Sequence, residues 1–159
     1  MQPRICAAPR GCKATLSAEL LGIGGETLRY WREHVDPNPS PTYFSGGRLL
    51  AYRVLKVLIR HHFIPVEALQ RCDRRELFEC CEHVAISVLE RSFLYIDPQA
   101  GRLSLHENCP VIDDDNIDAQ VIPLKGIVRL HRLAWERLGF PAQRQQLRPA
   151  EVLNVMHQR

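Results

Sequence analysis

A glycine-rich turn between two short amphipathic segments constrains the fold of this chain more than any other feature of its sequence. Residues 22–25 read Gly-Ile-Gly-Gly, and glycine adopts turn conformations that other residues disfavour. Apolar residues recur at helical spacing over residues 14–21, which predicts a short helix. Residues 26–35 predict a second helix with Leu28 and Trp31 on its inner face. Two short helices joined by a glycine turn indicate a helix-turn-helix.

A proline-rich segment ends this unit and predicts a change of structure. Three prolines within residues 36–41 exclude a helix there. Residues 42–50 contain two adjacent glycines, and we expect them to form a small hairpin, or wing, behind the helix-turn-helix. A longer helix is predicted over residues 51–62, and Pro65 is expected to begin a short one after it.

The middle of the chain predicts one connecting helix over residues 73–92. Asp73 and Glu76 have the spacing of a capping pair at its start. Four residues follow coiled-coil spacing along one seam, which makes this the candidate dimerisation helix: Leu77, Cys81, Val84 and Val88. A helix that faces the protein's own core explains the same spacing equally well.

The C-terminal part predicts a small α+β region. Residues 93–96 and 102–106 indicate two strands of a hairpin around a glycine-containing turn. Residues 107–122 are acidic and predict a loop for the most part. A well-patterned amphipathic helix is predicted over residues 123–139, and a short last helix is expected to begin at Pro149.

The outward faces of the predicted helix-turn-helix and wing carry basic and aromatic side chains. An α-helix fits the major groove of DNA, where its outward side chains reach base edges and phosphates. We therefore expect DNA contacts from the second helix, from the wing and from a basic stripe on the helix over residues 51–62. The predicted DNA-binding residues are Arg29, Tyr30, Arg32, Tyr43, Arg48, Arg53 and Lys56.

These segments resemble the winged helix-turn-helix of the MerR family, over residues 14–70. The matching strings are Gly22-Ile23, Thr27-Leu28-Arg29-Tyr30-Trp31-Arg32-Glu33, Ser45-Gly46-Gly47-Arg48-Leu49 and the segment 63–69. The resemblance implies a dimeric DNA-binding transcription factor in which Arg29, Tyr30 and Arg48 touch DNA while Leu28 and Trp31 belong to the core. Two departures are that the wing lacks the family's second aromatic residue and that no long dimerisation helix is evident.

Charge is unevenly distributed along the chain. Residues 1–75 contain 12 Lys/Arg and 6 Asp/Glu, whereas residues 76–159 contain 9 and 12. A basic N-terminal half joined to an acidic C-terminal half is typical of a nucleic-acid-binding module attached to a second region. No apolar run approaches the roughly 20 residues that a membrane span needs, and no signal-peptide pattern follows the N-terminal basic residues. We therefore expect a cytoplasmic, nucleoid-associated protein with no membrane partner.

The sequence nominates no catalytic or metal site. It has no serine–histidine–aspartate arrangement, no P-loop and no dinucleotide-binding glycine motif, so we expect a protein that is not an enzyme and has no cofactor. The cysteines lack Cys-x2-Cys spacing, and adjacent Cys80 and Cys81 point in different directions. Residues 113–118 are read as a solvated acidic loop, and His131 as a core histidine within an apolar stripe.

The resulting expectation is a mainly α protein with small β content. Its organisation is predicted as a flexible arm (1–13), a MerR-like winged helix (14–72), a connecting helix (73–92) and a hairpin-plus-helix region of unassigned role (93–159). The expected function is sequence-specific binding of double-stranded DNA in transcription regulation, as a homodimer. Two alternatives stay open: a DNA-binding accessory protein of the excisionase, partition or phage-packaging type, and an adaptor that binds a protein partner through its C-terminal half.

Overall fold

The computed structural model describes residues 12–39 and 43–138. The predicted N-terminal arm up to residue 11, the glycine at 139 and the predicted helix from Pro149 lie outside these residues. The described elements, in chain order, are α1 (Ala14–Leu21), α2 (Gly25–His34), α3 (Gly46–Arg60), α4 (Val66–Arg71), α5 (Arg75–His83), α6 (Ile86–Glu90), β1 (Phe93–Asp97), β2 (Arg102–His106), β3 (Gln120–Pro123) and α7 (Lys125–Arg137).

The protein is mainly α-helical with one small sheet, as the sequence predicts. The sheet is antiparallel with strand order β2-β1-β3, and Leu94 at its centre pairs with Leu105 on one side and Ile122 on the other. The predicted hairpin is therefore confirmed. β3 lies at the end of the segment predicted as loop, and the prediction missed it because Val121 and Ile122 are too short an apolar run to indicate a strand.

The predicted wing hairpin over residues 42–50 is wrong, because α3 already begins at Gly46. Ser45 caps this helix, and its hydroxyl oxygen accepts a hydrogen bond of 3.1 Å from the backbone N–H of Arg48. The adjacent glycines suggested a turn, but at Gly47 a Cβ atom would clash with the backbone of Cys81 in α5. Glycine is thus required here for close packing of two helices. Among the described residues 43–50, strand pairing is limited to an isolated bridge between Phe44 and Cys12.

The predicted connecting helix over residues 73–92 is also wrong, since the chain breaks between α5 and α6. Leu77 and Cys81 of the predicted seam are buried within the protein's own core. At the start of α5, Asp73 accepts a 3.1 Å hydrogen bond from the backbone N–H of Arg75, two residues later. The seam therefore serves internal packing and leaves no long helix there for a coiled coil.

A single hydrophobic cluster contains buried residues from all ten elements. Leu55 and Leu58 of α3 are fully buried in this cluster, as are Leu94 of the sheet and Val128 of α7. The segments predicted as separate regions are thus joined by one core. Among the described helices, none is both long and apolar enough to cross a membrane.

Candidate nucleic-acid interface

The turn between α1 and α2 is built around Gly22. Its φ of 65° lies in the left-handed region that glycine adopts without strain. The backbone N–H of Gly22 donates to the carbonyl of Glu19, and that of Ile23 donates to Ala18, both at 3.0 Å. These two bonds form a Schellman motif that ends α1 and redirects the chain. α2 begins three residues later, so the structure has two short helices joined by a glycine turn in this segment.

The two faces of α2 differ in the way that its sequence predicts. Leu28 and Trp31 are buried, at 2% and 3% exposure, and attach the helix to the core. Arg29 and Tyr30 lie on the exposed face. The ring of Tyr30 packs against that of His34, with centroids 4.4 Å apart. The Tyr30 side chain is 44% exposed despite this contact.

Arg32 and Tyr43 differ in their surroundings. The guanidinium of Arg32 sits 5.5 Å from the centroid of the buried Phe44 ring, in a cation–π contact. Tyr43, next to Phe44 in the sequence, is exposed. The structure therefore places Arg29 and Tyr30 on the outer face of α2, with Arg32 partly buried against Phe44 and Tyr43 exposed.

Arg48 is not at the surface, and the predicted surface position of this residue is wrong. Its guanidinium forms an ion pair with Asp36 and a second one, of 2.9 Å, with Glu82. Tyr52 donates a 2.7 Å hydrogen bond to the other oxygen of Asp36. The Arg48 guanidinium also lies 5.2 Å from the centroid of the Phe78 ring. This buried polar cluster attaches the loop after α2 to α3 and α5.

The electrostatics of this cluster follow from burial and from the Asp36 carboxylate. Burial raises the pKa of Tyr52, and the hydrogen bond to Asp36 raises it further, so the phenol stays protonated. For Arg48, burial lowers the pKa, but the hydrogen bond and charge of Asp36 more than offset this, so the pKa is raised. Neither Asp36 nor Glu82 was recognised from the sequence, because both are distant from Arg48 along the chain.

Arg53 and Lys56 bind the C-terminal end of α1. Arg53 donates a 2.7 Å hydrogen bond to the carbonyl of Leu20, and Lys56 donates one of the same length to Leu21. The last carbonyls of a helix lack partners within the helix and carry partial negative charge, which basic side chains satisfy. Burial lowers the pKa of both residues. Most of the predicted basic stripe on α3 therefore has a structural partner.

His131 of α7 connects this helix to α3, as a satisfied core histidine. Its Nε2–H donates a 2.8 Å hydrogen bond to the carbonyl of Gly46, and its Nδ1 accepts a longer one of 3.4 Å from Arg53. Burial lowers the pKa of His131 to about 4, and the charge of Arg53 contributes. The imidazole is therefore neutral near pH 7.

The described cysteines offer no reactive thiol in the core. Burial raises the pKa of Cys80 to about 12 and that of Cys81 well above its ordinary value. A thiol that stays protonated is a poor nucleophile and a poor metal ligand. Within residues 12–39 and 43–138, no group of three or more His, Cys, Asp or Glu side chains is arranged to hold a metal ion.

Comparison with known proteins finds no match for this chain among family models, curated proteins or solved structures. The resemblance to the MerR family therefore depends only on the sequence strings quoted above. The part of it that lies in α1, the turn and α2 agrees with the observed helices, whereas the part assigned to a wing lies in α3.

Proposed function

We propose that this protein binds double-stranded DNA through the outer face of α2, as a sequence-specific regulator of transcription. The observation that carries the proposal is the pair of exposed side chains, Arg29 and Tyr30, on the second helix of a helix-turn-helix. Leu28 and Trp31 fix that helix to the core, so the exposed pair is presented on a rigid element. A recognition helix uses the same division between a core face and a groove face.

The chemistry of the exposed face supports DNA as the ligand. An arginine binds a guanine edge through two parallel hydrogen bonds or a phosphate through charge. A tyrosine hydroxyl donates to phosphate oxygens. No described residue forms an ion pair with Arg29, so its guanidinium needs no rearrangement before it binds. In this proposal Arg32 and the exposed Tyr43 contribute further contacts to the DNA backbone.

A DNA-binding accessory protein is the second candidate function. It is favoured by the division of residues 73–92 into α5 and α6, because the described residues then provide no long dimerisation helix. Such a protein would bend or bridge DNA at an attachment, partition or packaging site rather than at a promoter. The two candidates share the α2 surface and differ in the genomic position of the site.

Selection of bound fragments from a random and a genomic DNA pool tests the proposal. We expect the full chain to enrich a defined sequence, and Arg29→Ala to lose that enrichment. Arg91→Ala is the matched control, since it removes the same charge from an exposed position between α6 and β1. Enrichment near promoters supports a regulator, and enrichment at attachment or packaging sites supports an accessory protein. Absence of enrichment at low salt contradicts DNA binding, because phosphate contacts are strongest there.

A further inference from the structure

An open cleft lies between the end of α3, the β1–β2 turn and the segment before β3. Its volume of about 640 Å³ is within the range of roughly 300–1,000 Å³ that is typical of pockets for organic ligands. Its lining includes one arginine, Arg71, and one aspartate, Asp118. Neither forms an ion pair with the other or with any other described residue. The cleft therefore offers one cation and one anion to a ligand.

The two charged side chains come from segments on opposite sides of β1. Gly101 precedes β2, and its backbone packs so closely on that of Arg71 that a Cβ atom would lie 2.9 Å from the Arg71 carbonyl oxygen. Asp118 precedes β3, and Asn116 fixes this segment by donating a 2.8 Å hydrogen bond to Asp97. Because β2 and β3 flank β1, and neighbouring strands lie about 4.8 Å apart, the two segments are separated by about 10 Å.

Phe63 lines the cleft in a backbone conformation that is costly for a bulky residue. Its φ of 54° lies in the left-handed region, where glycine is the usual residue after a helix. Its side chain is 85% exposed, so packing within the molecule does not compensate for this conformation. Residues strained in this way are concentrated at ligand-binding sites. Ile117 in the same lining is also exposed, so the cleft offers apolar surface as well as charge.

The remaining lining provides hydrogen-bonding groups. Nδ1–H of His62 donates a 2.8 Å hydrogen bond to Oε1 of Gln120, which connects the end of α3 to β3. The amide nitrogen of Gln120 has no hydrogen-bond partner among the described residues, so it can donate to a carbonyl oxygen of a ligand. A single cation opposed by a single anion is unsuited to a polyanion such as a nucleotide. A molecule with one charge of each sign matches it.

We propose that this cleft binds a short peptide, of two or three residues, by its two ends. The peptide carboxylate pairs with Arg71, its ammonium group pairs with Asp118, and a large apolar side chain packs against Phe63. An extended chain spans at most about 3.3–3.6 Å per residue, so three residues bridge the separation of about 10 Å and a single amino acid does not. None of the lining residues belongs to α2, so this site does not depend on DNA binding.

NMR titration of the full chain with the tripeptide alanyl-phenylalanyl-alanine tests the site without DNA. At about pH 6.5 both ends of this peptide are charged. We expect the amide signals of Gly101 and Gln120 to shift to saturation. Amidation of the peptide carboxylate or acetylation of its amine should each weaken binding by roughly five- to tenfold, because each change removes one charge-assisted contact. Absence of saturable shifts up to about 10 mM peptide would overturn the proposal.

Two charge variants assign each end of the peptide to its partner. Arg71→Gln should bind the free and the amidated peptide equally while it still prefers the free peptide to the acetylated one, and Asp118→Asn should show the reverse. Arg91→Gln and Asp114→Asn are the matched controls, because both residues are exposed and neither lines the cleft. The controls should keep both preferences of the wild type. Wild-type preferences in Arg71→Gln and Asp118→Asn would contradict the proposed contacts.

Phe63→Gly tests the apolar contact. This variant should melt no lower than the wild type, because glycine adopts the left-handed conformation without strain. It should bind the phenylalanine-containing tripeptide roughly three- to tenfold more weakly, because the contact between two aromatic rings is lost, and its affinity for trialanine should not change. A Phe63→Gly variant that binds both tripeptides as the wild type does would contradict the position of the peptide side chain.

Discussion

The basic residues of α2 and those of α3 have the same chemistry, but the structure uses them in different ways. Arg29 on α2 extends from an exposed face with no ion-pair partner among the described residues. Arg48 on α3 is 8% exposed and is bound by Asp36 and Glu82. Arg53 and Lys56 satisfy the last carbonyls of α1. A basic residue is therefore a candidate for binding DNA only where no carboxylate or backbone carbonyl of the protein already binds its side chain.

The comparison also shows how α3 supports α2. The cluster of Asp36, Arg48 and Tyr52 fixes the loop that follows α2, while Arg53 and Lys56 fix the end of α1 that precedes it. The segments on both sides of α2 are thus held by side chains of α3. Substitutions on α3 should change the stability of the fold, and substitutions on the face of α2 should change DNA affinity.

Replacement of Arg48 by methionine is expected to have the largest effect. It leaves the Asp36 carboxylate buried without its partner, and breaking a buried ion pair in this way costs about 3–5 kcal/mol. Urea denaturation should show this loss of unfolding free energy. DNA affinity per folded molecule should stay near that of the wild type, and a variant with normal stability but weak DNA binding would break the comparison.

The pH dependence of folding stability tests the contact that His131 makes between α3 and α7. Its pKa is lowered from 6.5 to about 4 in the folded protein, so below pH 6.5 the unfolded chain binds a proton that the folded protein does not. Folding stability should fall by about 3 kcal/mol as the pH drops from 6.5 to 4, and no further from this group below that range.

The variant His131→Gln keeps a donor for the carbonyl of Gly46 and removes the titration. Thermal or urea unfolding across this pH range should therefore show a smaller loss of stability in the variant than in the wild type. Burial also lowers the pKa of His106, but that contribution is the same in both proteins and cancels in the difference. Equal pH dependence in the two proteins would contradict the proposed role of His131.

Arg29→Ala tests the exposed face of α2, where we expect a change in DNA affinity rather than in stability. We expect DNA affinity to fall by about 1–3 kcal/mol if Arg29 reads a base, with the unfolding free energy changed by less than about 0.5 kcal/mol. Titration of labelled DNA at several salt concentrations separates two roles. A phosphate contact lowers the salt slope by about 1, whereas a base contact relaxes the sequence preference.

Lys56→Ala is expected to have the smallest effect. It removes a hydrogen bond and a positive charge from the C-terminal end of α1, which is worth roughly 0.5–1 kcal/mol at a partly exposed site. The unfolding free energy should decrease by that amount. A loss of DNA affinity larger than the loss of stability would show that Lys56 also reaches the DNA, as the sequence alone predicts.

Local patterns were sufficient for the elements whose residues contact their near neighbours. The spacing of apolar residues predicted α1 and α2, and the glycine at residue 22 predicted the turn between them. The glycine-containing turn at residues 97–101, between two strand-like segments, predicted the β1–β2 hairpin. The wing was predicted wrongly because adjacent glycines are common both in turns and where two helices pack closely, and Gly47 serves the second purpose through contact with Cys81.

The sequence by itself determined the mainly α composition, the two short helices α1 and α2 with the turn between them, and the exposed position of Arg29 and Tyr30, because each depends on spacing within a few residues. Only the tertiary structure determined the interaction partners of Arg48, Arg53 and Lys56. Their partners come from other elements, at separations of 12 residues for Asp36 and 33 to 35 for the carbonyls of α1. Burial and hydrogen bonding across such separations arise only when the helices pack, so no local pattern records them.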